Sequence, residues 1–158
     1  MKNFKTEIKW AIIFTIAGLL WMVLEKALGW HDVHIDKHPI YTNFFALIAI
    51  AIFVFALIEK RNKDLSGKMT WVQGFVSGII ISVIVAMLSP LSQYITHEYI
   101  SPDYFQNAIN NTVENEIMTQ ESAESFFNFN SYRIQAAFGA LGAGIVTAGI
   151  VSLFVRKK

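Results

Sequence analysis

The sequence predicts an all-α integral membrane protein: a four-helix bundle with both termini cytoplasmic and a short extracytoplasmic helical hairpin between spans three and four. Three observations carry this. Over half of the 158 residues are hydrophobic and few are charged, a balance unlike that of a soluble domain of this size. Uncharged apolar runs recur at the length of about 20 residues that a helix needs to cross the hydrocarbon core. No polar face alternates within those runs, which argues against buried helices of a soluble fold.

The elements follow in chain order, forming one membrane domain over 1–158. Span one covers about 8–28: Trp10 to Leu24 is uncharged, and apolar character resumes at Ala27 after Glu25 and Lys26. A rival reading is a secretory signal, with "MKNFKTEIK" as its basic start and Ala27-Leu28-Gly29 as a small-residue cleavage site. The charged pair just upstream of that site, and bulky Trp21 and Met22 in the apolar run, favour a retained span. The loop "GWHDVHIDKHPIYTN" follows, Gly29 to Asn43, and holds three of the four histidines. Span two covers about 41–58, inside the uncharged run Pro39 to Ile58, and span three about 70–96, inside Met69 to Thr96. The segment 97–133 is the only sizeable soluble part. Ser101 as N-cap, Pro102 at the first helical position and Asp103 in the first turn start one short helix; Thr119 with the acids behind it starts a second. Tyr104, Phe105, Ile109 and Val113 form the apolar stripe of the first arm, and Phe126, Phe127 and Phe129 that of the second. Span four covers about 134–155, "IQAAFGALGAGIVTAGIVSLFV".

Charge orients the spans. Lys2, Lys5, Lys9, Lys60, Arg61, Lys63, Lys68, Arg156, Lys157 and Lys158 fall on one side, and only Lys26, Lys37 and Arg133 on the other. Short cytoplasmic loops carry the excess of Lys and Arg, so both termini are expected in the cytoplasm. Trp10, Trp30 and Trp71 flank the spans as interface anchors.

With no cysteine, disulfides, thiolate metal sites and cysteine nucleophiles are excluded. No phosphate-binding glycine loop, nucleophile elbow or helix-borne metal motif is present, and no basic face interleaved with aromatics, so neither catalytic residues, an organic cofactor nor a nucleic-acid partner is expected. His31, His34, His38 and His97 all fall on the extracytoplasmic side, the first three at helical spacing. Neutral imidazoles near carboxylates suit Zn²⁺ or Cu²⁺, although Gly29 and Pro39 interrupt a continuous helix there. The alternative is a set of interfacial polar residues bonded to loop backbone and lipid headgroups, and protonation at mildly acid pH is a third use of grouped imidazoles. Glu25, near the outer edge of span one, is expected to pair with Arg133 and tie the outer rim. Gly74, Gly78, Ser82 and Ala86 on span three, and Ala140, Gly144, Ala148 and Ser152 on span four, recur at four-residue steps that let backbones approach. The simplest use is packing of spans three and four on each other, and the alternative is homodimerisation. Pro90, within "SPLSQY", is expected to kink span three, with neighbouring hydroxyls satisfying the freed backbone groups.

"GKMTWVQGFVSGIIIS" entering span three, "SPLSQYI" with "ISPDYF" beyond it, and the glycine-rich last span ending in basic residues resemble one known family. The chain is similar to the domain-of-unknown-function 4199 proteins, small four-span proteins of the bacterial inner membrane. The resemblance covers nearly the whole chain, most specifically Gly67 to Phe105, and implies a membrane location without an activity. Function is therefore read from the residues. The leading expectation is a non-enzymatic accessory or scaffold protein in contact with membrane lipid and with itself or another membrane protein. A small transporter or channel using His31, His34, His38, His97 and Glu25 at an outer entrance is the alternative, or a metal- or pH-responsive membrane protein using the same histidines. An enzyme ranks last, because span interiors lack paired acids or an activated nucleophile.

Overall fold

A computed structural model describes residues 4–157; Lys2 and Lys158, two of the charges used above to orient the spans, lie outside the described residues. Among the described residues every regular element is helical. In order these are α1 (Lys5–Ala27), α2 (His38–Tyr41), α3 (Phe45–Glu59), α4 (Trp71–Ile95), α5 (Tyr104–Glu114), α6 (Gln120–Phe126) and α7 (Phe129–Val155). Short 3₁₀ turns flank α2, and π-helical turns extend α3 through Lys60–Asp64 and α4 through Thr96–Ile100. Four continuous helical stretches result, Lys5–Ala27, Ile35–Asp64, Trp71–Ile100 and Phe129–Val155, each long and apolar enough to cross a membrane. All four histidines lie at one end of the bundle, here the histidine end; Lys60 to Lys63, Arg156 and Lys157 lie at the other, the basic end.

Local chemistry sets the boundaries. Thr70 and Gln73 form a reciprocal capping box, the Thr70 hydroxyl accepting from the Gln73 backbone amide (3.2 Å) and the Gln73 side-chain Oε1 from the Thr70 backbone amide (2.8 Å), which fixes the start of α4. Asn128 accepts from the Ser131 amide and starts α7 at Phe129, earlier than the apolar run alone suggests. Pro90 lies inside α4 and cannot donate to the Ala86 carbonyl; the Ser89 hydroxyl donates to it instead at 2.8 Å.

The closest helix pair is α4 with α7, which run antiparallel in one fixed register. Met69 and Lys157 exchange both backbone hydrogen bonds at its basic end (2.8 and 2.9 Å). Four-residue steps then place Gly74 against Ser152, Gly78 against Ala148 and Gly144 against Ser82. A Cβ added at Gly78 would collide with the Ala148 side chain, and one at Gly144 with the Ser82 hydroxyl. Absent side chains thus buy the close backbone approach that dispersion needs in a medium without hydrophobic drive. Ala140, on the same face of α7, packs partly buried against the core of Phe53, Leu57, Ile81, Val85, Ala148 and Val151.

On the other side α1 packs against α4 and α3, and α3 against α7. The outer surface is apolar. Leu20, Leu47, Phe138 and Phe154 are 64, 70, 72 and 81% exposed, and only 11% of the apolar window of α1 is buried. A water-soluble bundle would bury such side chains, and hydrocarbon is the surrounding that accommodates them. Gly78→Ala and Gly144→Ala are expected to destabilise the purified protein by about 1–3 kcal/mol each through overpacking. Gly142→Ala, with open space at its Cβ, is expected to change little; thermal unfolding in detergent compares the three.

Candidate functional site

The histidine end holds a buried polar cluster assembled from α1, α2, α5, α7 and the turns before α2 and α5. Helix α1 ends at Ala27, and Gly29, at φ +76°, reverses the chain; a Cβ there would press on Val33 and Asp32. The reversal returns His31 towards the end of α1 and leaves His34 exposed at the tip. The 3₁₀ turn Ile35–Lys37 and α2, which tolerates Pro39 in its first turn, then bring His38 to the same place. Glu25 and His31 are buried, 0 and 2% exposed, and His38 is 17% exposed by side chain.

Both imidazoles converge on one carboxylate oxygen. Glu25 Oε2 lies 3.0 Å from His31 Nε2 and 3.3 Å from His38 Nε2, while Trp21 Nε1 donates to Glu25 Oε1 at 2.5 Å. The remote ring nitrogens meet hydroxyls: His31 Nδ1 lies 2.6 Å from Ser101 Oγ, and His38 Nδ1 3.3 Å from the Tyr104 hydroxyl. That hydroxyl also meets Tyr132 at 3.2 Å, and Asn107 donates to the His31 carbonyl at 3.0 Å. Burial, and then the neighbouring Tyr132, push the Tyr104 phenol well above its ordinary pKa, so it serves as a neutral hydroxyl. At the rim Lys26 pairs with Asp32 at 2.8 Å and holds that carboxyl below its usual range.

Several sequence expectations are revised here. The expected Glu25–Arg133 pair is absent among the described residues. Glu25 faces inward with its oxygens engaged by Trp21, His31 and His38, whereas Arg133 is exposed with its guanidinium 6.0 Å from the Phe129 ring. Of the four histidines, His31 and His38 come together with Glu25, their ligand atoms all within 4.8 Å of one another. The i, i+3, i+7 spacing is not realised as one helical face, because Gly29 and the turns behind it replace the helix. His97 stands beside the cluster: its Nε2 meets Gln93 Oε1 at 3.0 Å, its ring stacks on Phe105 at 4.0 Å, and its buried Nδ1 has no partner among the described residues. Ser101 does not cap α5. Its hydroxyl is committed to His31, and α5 starts at Tyr104 behind Asp103 without a side-chain cap. Thr119 does cap α6, accepting from the Ser122 amide.

A second polar cluster, which the sequence reading did not single out, occupies the basic end. Glu7 is 1% exposed, accepts from Ser77 Oγ at 2.8 Å and pairs with Lys60 at 2.9 Å; Lys60 also pairs with Asp64 at 2.9 Å, and Thr6 donates to Asp64. Lys9, Lys63 and Trp10 surround Glu59 beside it. A cavity of about 610 Å³ opens next to Glu7, Lys60 and Ser77. The available signal was spacing: Glu7 and Glu25 stand 18 residues apart on α1, about five full helical turns, and so share one face. Between the two clusters a groove of about 480 Å³, lined in part by Thr42, Ser89, Gln93, Thr96 and Thr147, runs down from the histidine end.

A family model described as "Protein of unknown function (DUF4199)" matches residues 9–157, nearly the whole chain. No curated protein and no solved structure matches it. The pairing revision is checked directly. Glu25→Ala, which strands the buried His31 and the partly buried His38, is expected to cost about 3–5 kcal/mol in unfolding experiments, and Arg133→Ala at most about 0.5 kcal/mol. Equal losses would restore the Glu25–Arg133 pair.

Proposed function

Because the chain belongs to the DUF4199 family, whose description assigns no activity, its role rests on its own residues, and we propose a non-enzymatic accessory protein of the bacterial inner membrane. In this reading both termini are cytoplasmic, the histidine end is extracytoplasmic, and the work is done by presenting segment 101–128 to a membrane-protein partner or a second copy. One observation carries it. The segment is held to the bundle by directional contacts on one side, Ser101 with His31, Asn107 with the His31 carbonyl and Tyr104 with His38. The same segment leaves Ile117 and Phe126, with neighbouring Tyr99, 66, 42 and 72% exposed. An anchored element with exposed apolar side chains is the form an interaction surface takes. The excess of Lys and Arg at the opposite end supports the orientation.

The groove supports a second reading, a small transporter. Its hydroxyls and amides lie between the histidine cluster and the middle of the bundle, and a small cavity of about 60 Å³ lies beside it around Phe53, Ser82 and Gly144.

Because the chain has no cysteine, orientation is open to single-cysteine labelling. In intact cells with a permeabilised outer membrane, an impermeant maleimide is expected to label Asn110→Cys and spare Asn62→Cys; the reverse pattern inverts the topology. A photo-crosslinking residue at Ile117 is expected to capture one reproducible membrane partner that the same residue at Asn62 does not. Ion flux through reconstituted liposomes, with no crosslink from Ile117, would replace the accessory reading by transport.

A further inference from the structure

We infer that Glu25, His31 and His38 form a site for one divalent transition-metal ion of the Zn²⁺ class. The inference concerns this chain's own donors, and rests on the accessory reading only for what the ion regulates.

The donor set is the first argument. Two imidazole nitrogens and one carboxylate oxygen are a set used by zinc sites that keep an exchangeable fourth position. Imidazole selects Zn, Co, Ni and Cu over Mg and Ca, which prefer oxygen alone. Spacing is the second. A tetrahedral ion with bonds of about 2.0 Å separates its ligand atoms by about 3.3 Å. Glu25 Oε2 lies 3.0 Å from His31 Nε2 and 3.3 Å from His38 Nε2, and all three ligand atoms fall within 4.8 Å. One imidazole is enough to answer one buried carboxylate. A second ring turned to the same oxygen is what a shared ion requires.

The outer shell is the third argument, and it separates this cluster from a chance meeting of side chains. Metal-bound histidines direct their other nitrogen to a fixed partner. Here His31 Nδ1 meets Ser101 Oγ at 2.6 Å, His38 Nδ1 meets the Tyr104 hydroxyl at 3.3 Å, and the second oxygen of Glu25 accepts from Trp21. Both partners of the imidazoles are hydroxyls, which donate or accept by rotating. Without an ion, each Nε2–H donates to Glu25 and each Nδ1 accepts from a hydroxyl. With an ion, the Nε2 lone pairs bind it and each Nδ1–H donates to the same hydroxyl oxygen. The shell serves both states with no change of partner. Because Ser101 follows the exit of α4 and Tyr104 begins α5, the ion would fasten the segment 101–128 to the ends of α1 and α2.

The test uses the full chain in detergent micelles, stripped with a chelator and titrated with Zn²⁺ against a chromophoric competitor, and with Co²⁺ by optical absorption. One equivalent of ion and the intense visible bands of four-coordinate Co²⁺ are expected. His38→Ala is expected to weaken Zn²⁺ binding by about 100-fold or more, Ser101→Ala by about 10-fold, and His34→Ala not at all. Circular dichroism checks each fold. Should His38→Ala unfold, Ser101→Ala keeps all three ligands and still decides, since unchanged affinity there overturns the site. Failure of the folded wild type to bind one equivalent overturns it too, as does equal weakening by His34→Ala and His38→Ala. Zn²⁺ binding without a crosslink from Ile117 would sink the accessory reading alone, and a crosslink without Zn²⁺ binding the metal site alone.

Discussion

A carboxylate taken out of water has to be answered by protons or positive charge, and α1 carries two, Glu7 and Glu25, one towards each end and on the same face. They stand about 27 Å apart along the helix, close to the thickness of a bilayer's hydrocarbon core. Between them Ala11 is buried and Phe14 packs partly buried on the core, while Ile12, Ile16 and Leu20 point outward. Helices surrounded by hydrocarbon gain no hydrophobic drive from meeting one another. The directional contacts of α1 sit at its ends, where Glu7 binds Ser77 of α4 and Lys60 beyond α3, and Glu25 binds the two histidines of the following turns. Loss of either carboxylate leaves buried partners stranded, which is why these contacts constrain the fold far more than surface ion pairs do.

The α4–α7 pair is built on the opposite principle. Its seam is small side chains in a fixed antiparallel register, closed at the basic end by the Met69–Lys157 backbone pair. The two modes have different consequences for space. Backbones that touch leave no cavity, whereas α1 and α3 are held apart by rings, Phe14 meeting Phe45 and Phe53 edge to face. The groove lies where the tight pair faces the splayed pair, and Gln93 links it to His97 at the histidine end.

What the sequence disclosed follows from which signals are local. Apolar run length fixes the spans, and the four-residue steps of Gly74, Gly78 and Ser82 against Gly144 and Ala148 are readable because a helix repeats its face at that interval. Span ends are less readable. An apolar run that begins only after Arg133 hides the turn from Phe129 to Tyr132, where the chain is already helical and Tyr132 faces inward. The histidine cluster was legible as a place but not as a constellation. Gly29 and Pro39 signalled that no single helix carries the three histidines, yet which of them turns inward depends on Glu25, Ser101 and Tyr104, and Ser101 lies 70 residues from His31. Glu7 was hidden for another reason. Among the lysines of the first nine residues it reads as a solvated charge, and only its partners reveal that it is buried.

The way α5 is fastened has a physical consequence of its own. Its inward face carries Tyr104, Ala108, Ile109 and Thr112, too small an apolar surface to fix a helix of 11 residues by area alone. Rings supply the rest, His31, His38, His97 and Tyr132 all meeting Tyr104 at centroid distances of 5.2 to 5.8 Å. Each of these carries a polar atom, so the contact is directional where a purely apolar one would slide. A ring shell also excludes water and lowers the local dielectric, which strengthens the bonds to Glu25 and raises the penalty for leaving any of them unmade. The segment between α4 and α7 is thus held by a few angle-dependent contacts rather than by a broad apolar footprint, and the imidazoles reach it directly through the Ser101 and Tyr104 hydroxyls.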